Sequence, residues 1–257
     1  INAADAENSA FGKHGIPPND VFIPPEWTPL EEKYLPCLDR KCVCPYFNGT
    51  AQGNDCILQS GKLLQRGLRQ ELRALDDSAR KQFEDTLNYI KSTGLYNRIA
   101  RVHKYSGVHS GPAFAGWHRE YLKRFELVIR RFLPDTNMGV PYWDSTLDSE
   151  LPNPRDSIIF TDIFLGDVDE NGFVVTGPYA NWTTMEGRHA ILRRFGANSA
   201  GELLSNARVD WIANNPDMNM VLGSTMPLTV WPFKKITKSF LIDEPFSIIN
   251  YRTKLLS

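Results

Sequence analysis

From Trp117 to Phe132 the sequence reads WHREYLKRFELVIRRF, and the spacing of its apolar residues decides the fold class. His118, Leu122, Phe125, Ile129 and Phe132 follow one another at steps of four, three, four and three. At about 3.6 residues per turn they share one face of a helix, which Pro134 stops. Upstream, Leu68, Leu72 and Leu75 recur at helical spacing. Asp76-Asp77-Ser78 then offers a cap before a second run carrying Phe83, Leu87 and Ile90, which Gly94 ends. A shorter helical stretch runs from Tyr96 to about Tyr105. Downstream, Pro141 to Pro178 is loop-rich, and Asn171-Gly172 before Phe173-Val174-Val175 predicts one small hairpin. Ser199 and Glu202 form a capping box that predicts a further short helix at Leu203-Leu204. The chain therefore reads as mainly α.

Three of the five histidines, His103, His109 and His118, fall within sixteen residues, on a helix end, a loop and the next helix. His118 lies on the apolar face of its helix, and His103 follows Ile99 by four residues and so shares that residue's face. The glycine-bearing loop from Gly107 to Pro112 can fold His109 back toward both. Three inward imidazoles make a trigonal nitrogen site suited to copper or zinc. A single buried histidine is more often a hydrogen-bonded core residue; it is the convergence of three that favours a metal. His14 and His189 read as surface residues.

Composition sets outer bounds. The 257 residues are 42% hydrophobic and 23% charged, enough to bury a core in one large domain or two small ones. A net charge of −1, from 29 basic and 30 acidic residues, gives no field to hold a polyanion, so nucleic acid is not an expected partner. The sequence contains no apolar run of membrane-spanning length, and no membrane partner is expected. The chain starts with Ile1 and shows no basic-then-apolar leader, so it is expected to be processed or cut from a longer product.

Cys37, Cys42, Cys44 and Cys56 all lie in a proline-punctuated segment, residues 1 to about 64, that reads as an arm. Their spacing lacks the paired C-x2-C of a zinc knuckle, which favours two disulfides, with three pairings open. The sequons Asn48-Gly49-Thr50 and Asn181-Trp182-Thr183 join the cysteines in predicting a secreted or lumenal setting.

The stretch HSGPAFAGWHREYL, His109 to Leu122, with Phe125-Glu126 after it, resembles the first copper signature of the tyrosinase family. That family also includes catechol oxidases and the oxygen-binding units of molluscan haemocyanin. Pro141-Tyr142-Trp143-Asp144 is similar to the turn that follows the signature, and Ile99-Ala100-Arg101-Val102-His103 to the segment bearing the family's first ligand. Gly177 to Trp182 and Leu192 to Gly196 resemble the stretch linking the family's two copper sites. The likeness covers about Leu68 to Thr229.

The resemblance implies a partial four-helix bundle of the type 3 copper class, mainly α, with long loops and a small hairpin, preceded by a disulfide-stabilised irregular arm. Its expected divisions are an arm at 1–64, a copper domain at 65–229 and a divergent tail at 230–257. It implies copper as cofactor, with His103, His109 and His118 as ligands of the first ion, and phenols or catechols with O2 as substrates. By the same likeness Phe114 packs beside the site or fills the core, and Arg119, Glu126 and Asp144 hold the helix of His118 or its surroundings. Many relatives bond the second histidine to a cysteine two residues earlier; Gly107 stands there instead.

The family's chemistry needs a second copper held by three further histidines, yet no histidine follows His189. Two cuprous ions give O2 two electrons and one ion gives only one. The implied activity is oxidation of phenols to quinones, and this chain alone is expected to be inactive. The competing readings are a non-catalytic metal-binding or regulatory form and a three-histidine zinc hydrolase, which the Trp-His-Arg context disfavours.

Overall fold

The structure is a computed structural model and describes residues 32–106, 113–185, 187–193 and 203–217. In chain order its elements are α1 (Arg40–Val43), β1 (Thr50–Gln52), β2 (Asp55–Ile57), α2 (Asp77–Ser92), α3 (Leu95–Ser106), α4 (Phe114–Phe132) and α5 (Asn206–Asn214), with several short 3-10 turns between them. The chain divides into two units. One comprises Ile23–Val102 and Glu120–Pro141; the other comprises Ile1–Phe22, His103–Arg119 and Tyr142–Ser257.

In the first unit, Asp76 caps α2 as its sequence predicts, its carboxylate accepting the Ala79 amide at 2.8 Å. Phe83, Leu87 and Ile90 are wholly buried on one face of that helix. It ends at Thr93, and Gly94 follows at φ 77°, the left-handed geometry that lets the chain turn into α3. Tyr96 and Ile99 are the buried residues of α3 in this unit. Leu122, Phe125, Val128 and Ile129 supply the apolar stripe of α4, and the Tyr96 and Phe125 rings meet edge-on at 6.2 Å. Phe132, expected on the same stripe, is 39% exposed at the last turn and leans on Tyr89 with ring centroids 5.5 Å apart.

The helix expected from Leu68 does not form. Leu68 makes a parallel bridge to Met138, its amide bonding Asn137 O and its carbonyl accepting from Gly139 N, and only Leu72–Ala74 coils, as a 3-10 turn. Leu72 and Leu75 are buried, but Leu68 is exposed; long-range pairing overrides the local period.

Glu84 lies on α2, 3.8 Å from Arg80, with a side chain only 14% exposed. Burial lifts its carboxyl from the usual 4.5 to about 7, against the opposing pull of Arg80. A raised folded pKa means the folded state holds its proton more tightly than the unfolded state does. The resulting stability is whole below about pH 4.5 and is lost as pH rises to about 7. Glu84→Gln, neutral throughout, is therefore expected to be more stable than wild type at pH 8, by about 1–2 kcal/mol once solvent screening discounts the shift, and roughly equal at pH 4. Urea midpoints at the two pH values check this; an equal difference at both sinks it.

The described part of the arm belongs to the same unit. Of the three possible pairings, the structure has Cys37–Cys42 and Cys44–Cys56. Around the bridges Tyr34, Val43, Tyr46, Phe47, Leu58 and Leu64 gather into a small core with Leu127 of α4. β1 and β2 pair antiparallel through the turn at Gly53. Arg130 of α4 donates to Gln65 O and Thr136 O, both at 2.6 Å, with its guanidinium 5.5 Å from the Phe47 ring.

The second unit is built on turns, as its sequence predicts. Trp143 is buried and its Nε1 donates to Asp148 at 2.6 Å; the other oxygen of Asp148 accepts from Ser157 Oγ at 2.7 Å. The predicted hairpin appears in minimal form, with Val168 bridging Val174 antiparallel and the Asp169 carboxylate accepting the amides of Asn171 and Phe173. Arg193 is buried, donating to the carbonyls of Leu165 and Gly166. Ser199 and Glu202 lie outside the described residues, and α5 starts later than expected, capped by Ser205.

Gly166 stands at φ 89°, and a β-carbon there would lie 2.1 Å from the Thr176 carbonyl oxygen. Neither backbone can yield cheaply. Gly166→Ala is expected to lose about 3 kcal/mol, read as a fall in thermal midpoint, and an unchanged midpoint would contradict this geometry.

Candidate metal centre

His103 occupies the last turn of α3 and His118 the second turn of α4, and both belong to the second unit. Both are buried, 6% and 5% exposed, as their places on apolar faces predict. Their rings converge, with the two Nε2 atoms 3.2 Å apart. Two imidazole nitrogens each about 2.0–2.1 Å from one ion stand about 2.8–3.4 Å apart at angles between a right angle and tetrahedral, so the pair suits a shared metal. The same separation suits an N–H···N hydrogen bond when one ring carries its proton on Nε2. Among the described residues no group of three metal-binding side chains converges. His109 and Gly107 lie outside the described residues, as do His14 and the side chain of Phe114. His189 is exposed, as expected, and its ring lies 4.5 Å from that of Phe173.

The residues expected to support the site divide. Glu126 Oε2 accepts from Arg69 Nε at 2.6 Å and from Val140 N at 3.1 Å, so it fastens α4 to the segment beyond it. Asp144 accepts from Thr146 N and Oγ1 and caps the turn Ser145–Leu147. Arg119 is exposed, one position round the helix from the stripe that buries His118.

Two residues of the signature carry roles that their spacing did not announce. Trp117 sets its ring 5.8 Å from His103 and 4.9 Å from His118. Tyr121, three residues beyond His118, is buried and donates its phenol to Ile99 O at 2.9 Å, which ties α4 to α3 four residues before His103. Burial raises its phenol pKa well above the ordinary value, so it stays a donor at any physiological pH. The signal available in the sequence was a phenol one helical turn from a candidate ligand.

Residues 93–239 match the common central domain of tyrosinase. The chain belongs to the tyrosinase family. This tyrosinase-family chain is similar to the tyrosinase-like protein tyr-3 of Caenorhabditis elegans, with 39% identity over 213 residues, 81% of this chain and 30% of that protein. It is 36% identical to tyrosinase-like protein 1 of Margaritifera margaritifera over 159 residues, 59% of this chain and 31% of the relative. The chain thus spans about three tenths of these curated relatives. In structure it resembles a variant of the polyphenol oxidase of Thermothelomyces thermophila, with a TM-score of 0.51 at 17% identity, covering 72% of this chain and 64% of the other. That likeness supports the fold. Tyrosinases are copper-dependent and act on phenols with O2. No described helix is long and apolar enough to cross a membrane.

Proposed function

We propose that this chain carries one copper site of a phenol-oxidising tyrosinase domain, held by His103, His109 and His118. The observation that carries this reading is the 3.2 Å approach of two buried imidazole nitrogens inside the family-matched segment. Neutral imidazole donors on two helix ends favour copper over hard, oxygen-seeking cations. Copper held there supplies one-electron redox chemistry toward O2. The protein's own part is to aim the two Nε2 atoms at one point and to keep them from water, with Trp117 against both rings. Phenolic or catecholic substrates follow from the family. A secreted or lumenal setting is supported by the two disulfides, and by the divisions at 1–64, 65–229 and 230–257 the copper domain is the middle one.

Turnover requires three further donors, and this chain has no histidine beyond His189. The copper-loaded chain, supplied with a catechol and O2, is expected to form no quinone by absorbance. Catalytic quinone formation by this chain alone would overturn the one-site reading. The hydrogen-bonding distance between the two rings also fits a metal-free pair, and a chain that takes up no copper at equilibrium would establish that instead.

A further inference from the structure

We propose that Asn48 is an N-glycan acceptor that is modified only while the Cys44–Cys56 bond is open. This rests on the secreted or lumenal reading above. Asn48 opens the sequon Asn48-Gly49-Thr50 and is exposed, at φ 54° and ψ 31°, where the turn Cys44–Phe47 ends. A glycan there projects into solvent and buries nothing.

The folded backbone of the sequon, in contrast, is clamped. The amides of Asn48 and Gly49 donate to Pro45 O and Cys44 O, both at 3.0 Å, and Thr50 pairs with Ile57 across the β1–β2 ladder. Gly49 lies against the bridge itself: a β-carbon on it would stand 2.6 Å from Cys56 Sγ and 2.9 Å from Cys44 Sγ. A transferase needs the acceptor tripeptide drawn into its own cleft. With the bridge closed, drawing out these three residues breaks the turn and the ladder and pulls the chain away from the sulfurs it is packed against. With the bridge open, a short flexible loop presents them freely.

In the transfer the side-chain amide nitrogen of Asn48 forms a bond to C1 of an oligosaccharide carried on a polyprenyl pyrophosphate. The C1–O bond breaks, the pyrophosphate leaves on its lipid, and one amide proton passes to a base of the transferase. Closing the bridge removes two electrons and two protons from the Cys44 and Cys56 thiols, which a disulfide of the compartment's thiol oxidant accepts. The two reactions compete for the same stretch of nascent chain.

The test expresses the full chain behind a cleavable secretion leader in eukaryotic cells, so occupancy is read whatever the natural destination. Total cell protein is treated with an amide-cleaving glycosidase in heavy-oxygen water, which marks each formerly glycosylated Asn as labelled Asp. Partial occupancy is expected at Asn48 in wild type, none in Asn48→Gln, and roughly a doubling or more in the Cys44→Ser/Cys56→Ser double variant. A brief pulse of reductant on wild-type cells is expected to raise it likewise, and neither readout requires the variant to fold. Asn181, in the second sequon, is the internal reference. An Asn48 that stays unmodified with the bridge open, equal occupancy with and without the bridge, or a parallel rise at Asn181 overturns the proposal. Retention of the native protein in a reducing compartment would instead overturn the secreted reading and leave the occupancy result standing.

Discussion

His118→Ala is expected to abolish copper binding. The wild-type chain is expected to take one cupric ion and give a mononuclear paramagnetic resonance signal; the variant, with unchanged far-ultraviolet circular dichroism, is expected to give none. His118 is one of the two imidazoles whose nitrogens approach to 3.2 Å, so on the proposed site its removal takes away a direct donor. Changes that only reorient a ligand weaken metal binding by about 10–100-fold, and loss of a donor is expected to exceed about a hundredfold. His103→Ala is expected to behave alike, which separates ligand loss from any cavity peculiar to one helix. A variant that binds copper as tightly as wild type would sink the assignment. Two ions per chain with a silent, coupled spectrum would mean that the single-site count is wrong.

Arg130→Ala is the second large effect, on stability. Arg130 is 6% exposed and its guanidinium reaches two carbonyls, Gln65 O and Thr136 O, outside the helices and strands. Burial pulls its pKa down from the ordinary value while Glu126 and Asp135 support the charge. Alanine removes two charge-assisted hydrogen bonds, at about 1.5–3 kcal/mol each, and the cover of the Phe47 ring. The expected loss is about 4 kcal/mol, measured by urea unfolding; a loss under about 1 kcal/mol would show that water or relaxation replaces the clamp. The helix pattern already places position 130 near the stripe, yet a basic residue there reads as surface until its acceptors, one of them 65 residues back in the chain, are known.

The helices were legible where one face carries all the information. Asp76 as a cap, Gly94 as a stop and the burial of Leu122, Phe125 and Ile129 follow from propensity and period alone. Leu68 misled because three leucines at helical spacing also suit an extended bridge, and only Met138 decides between them. In the arm, prolines concealed a hairpin whose turn is local but whose support is two disulfides, and cysteine pairing has no sequence code. The burial of His103 and His118 was readable because each shares a face with apolar neighbours. Tyr121 was not, since a phenol bonded across helices looks in sequence like any aromatic of the stripe.

The bond from Tyr121 to Ile99 also says where this part of the chain tolerates insertions and deletions. An α-helix advances about 1.5 Å and turns about 100° per residue, whereas a hydrogen bond of 2.9 Å survives displacements of only a few tenths of an ångström. One residue gained or lost between Ile99 and His103, or between His118 and Tyr121, swings the imidazole off the phenol's reference point and parts the pair. Length changes between Ser106 and Ala113 leave both spacings intact. Among related sequences the two short intervals, Ile99 to His103 and His118 to Tyr121, are therefore expected to keep a fixed count.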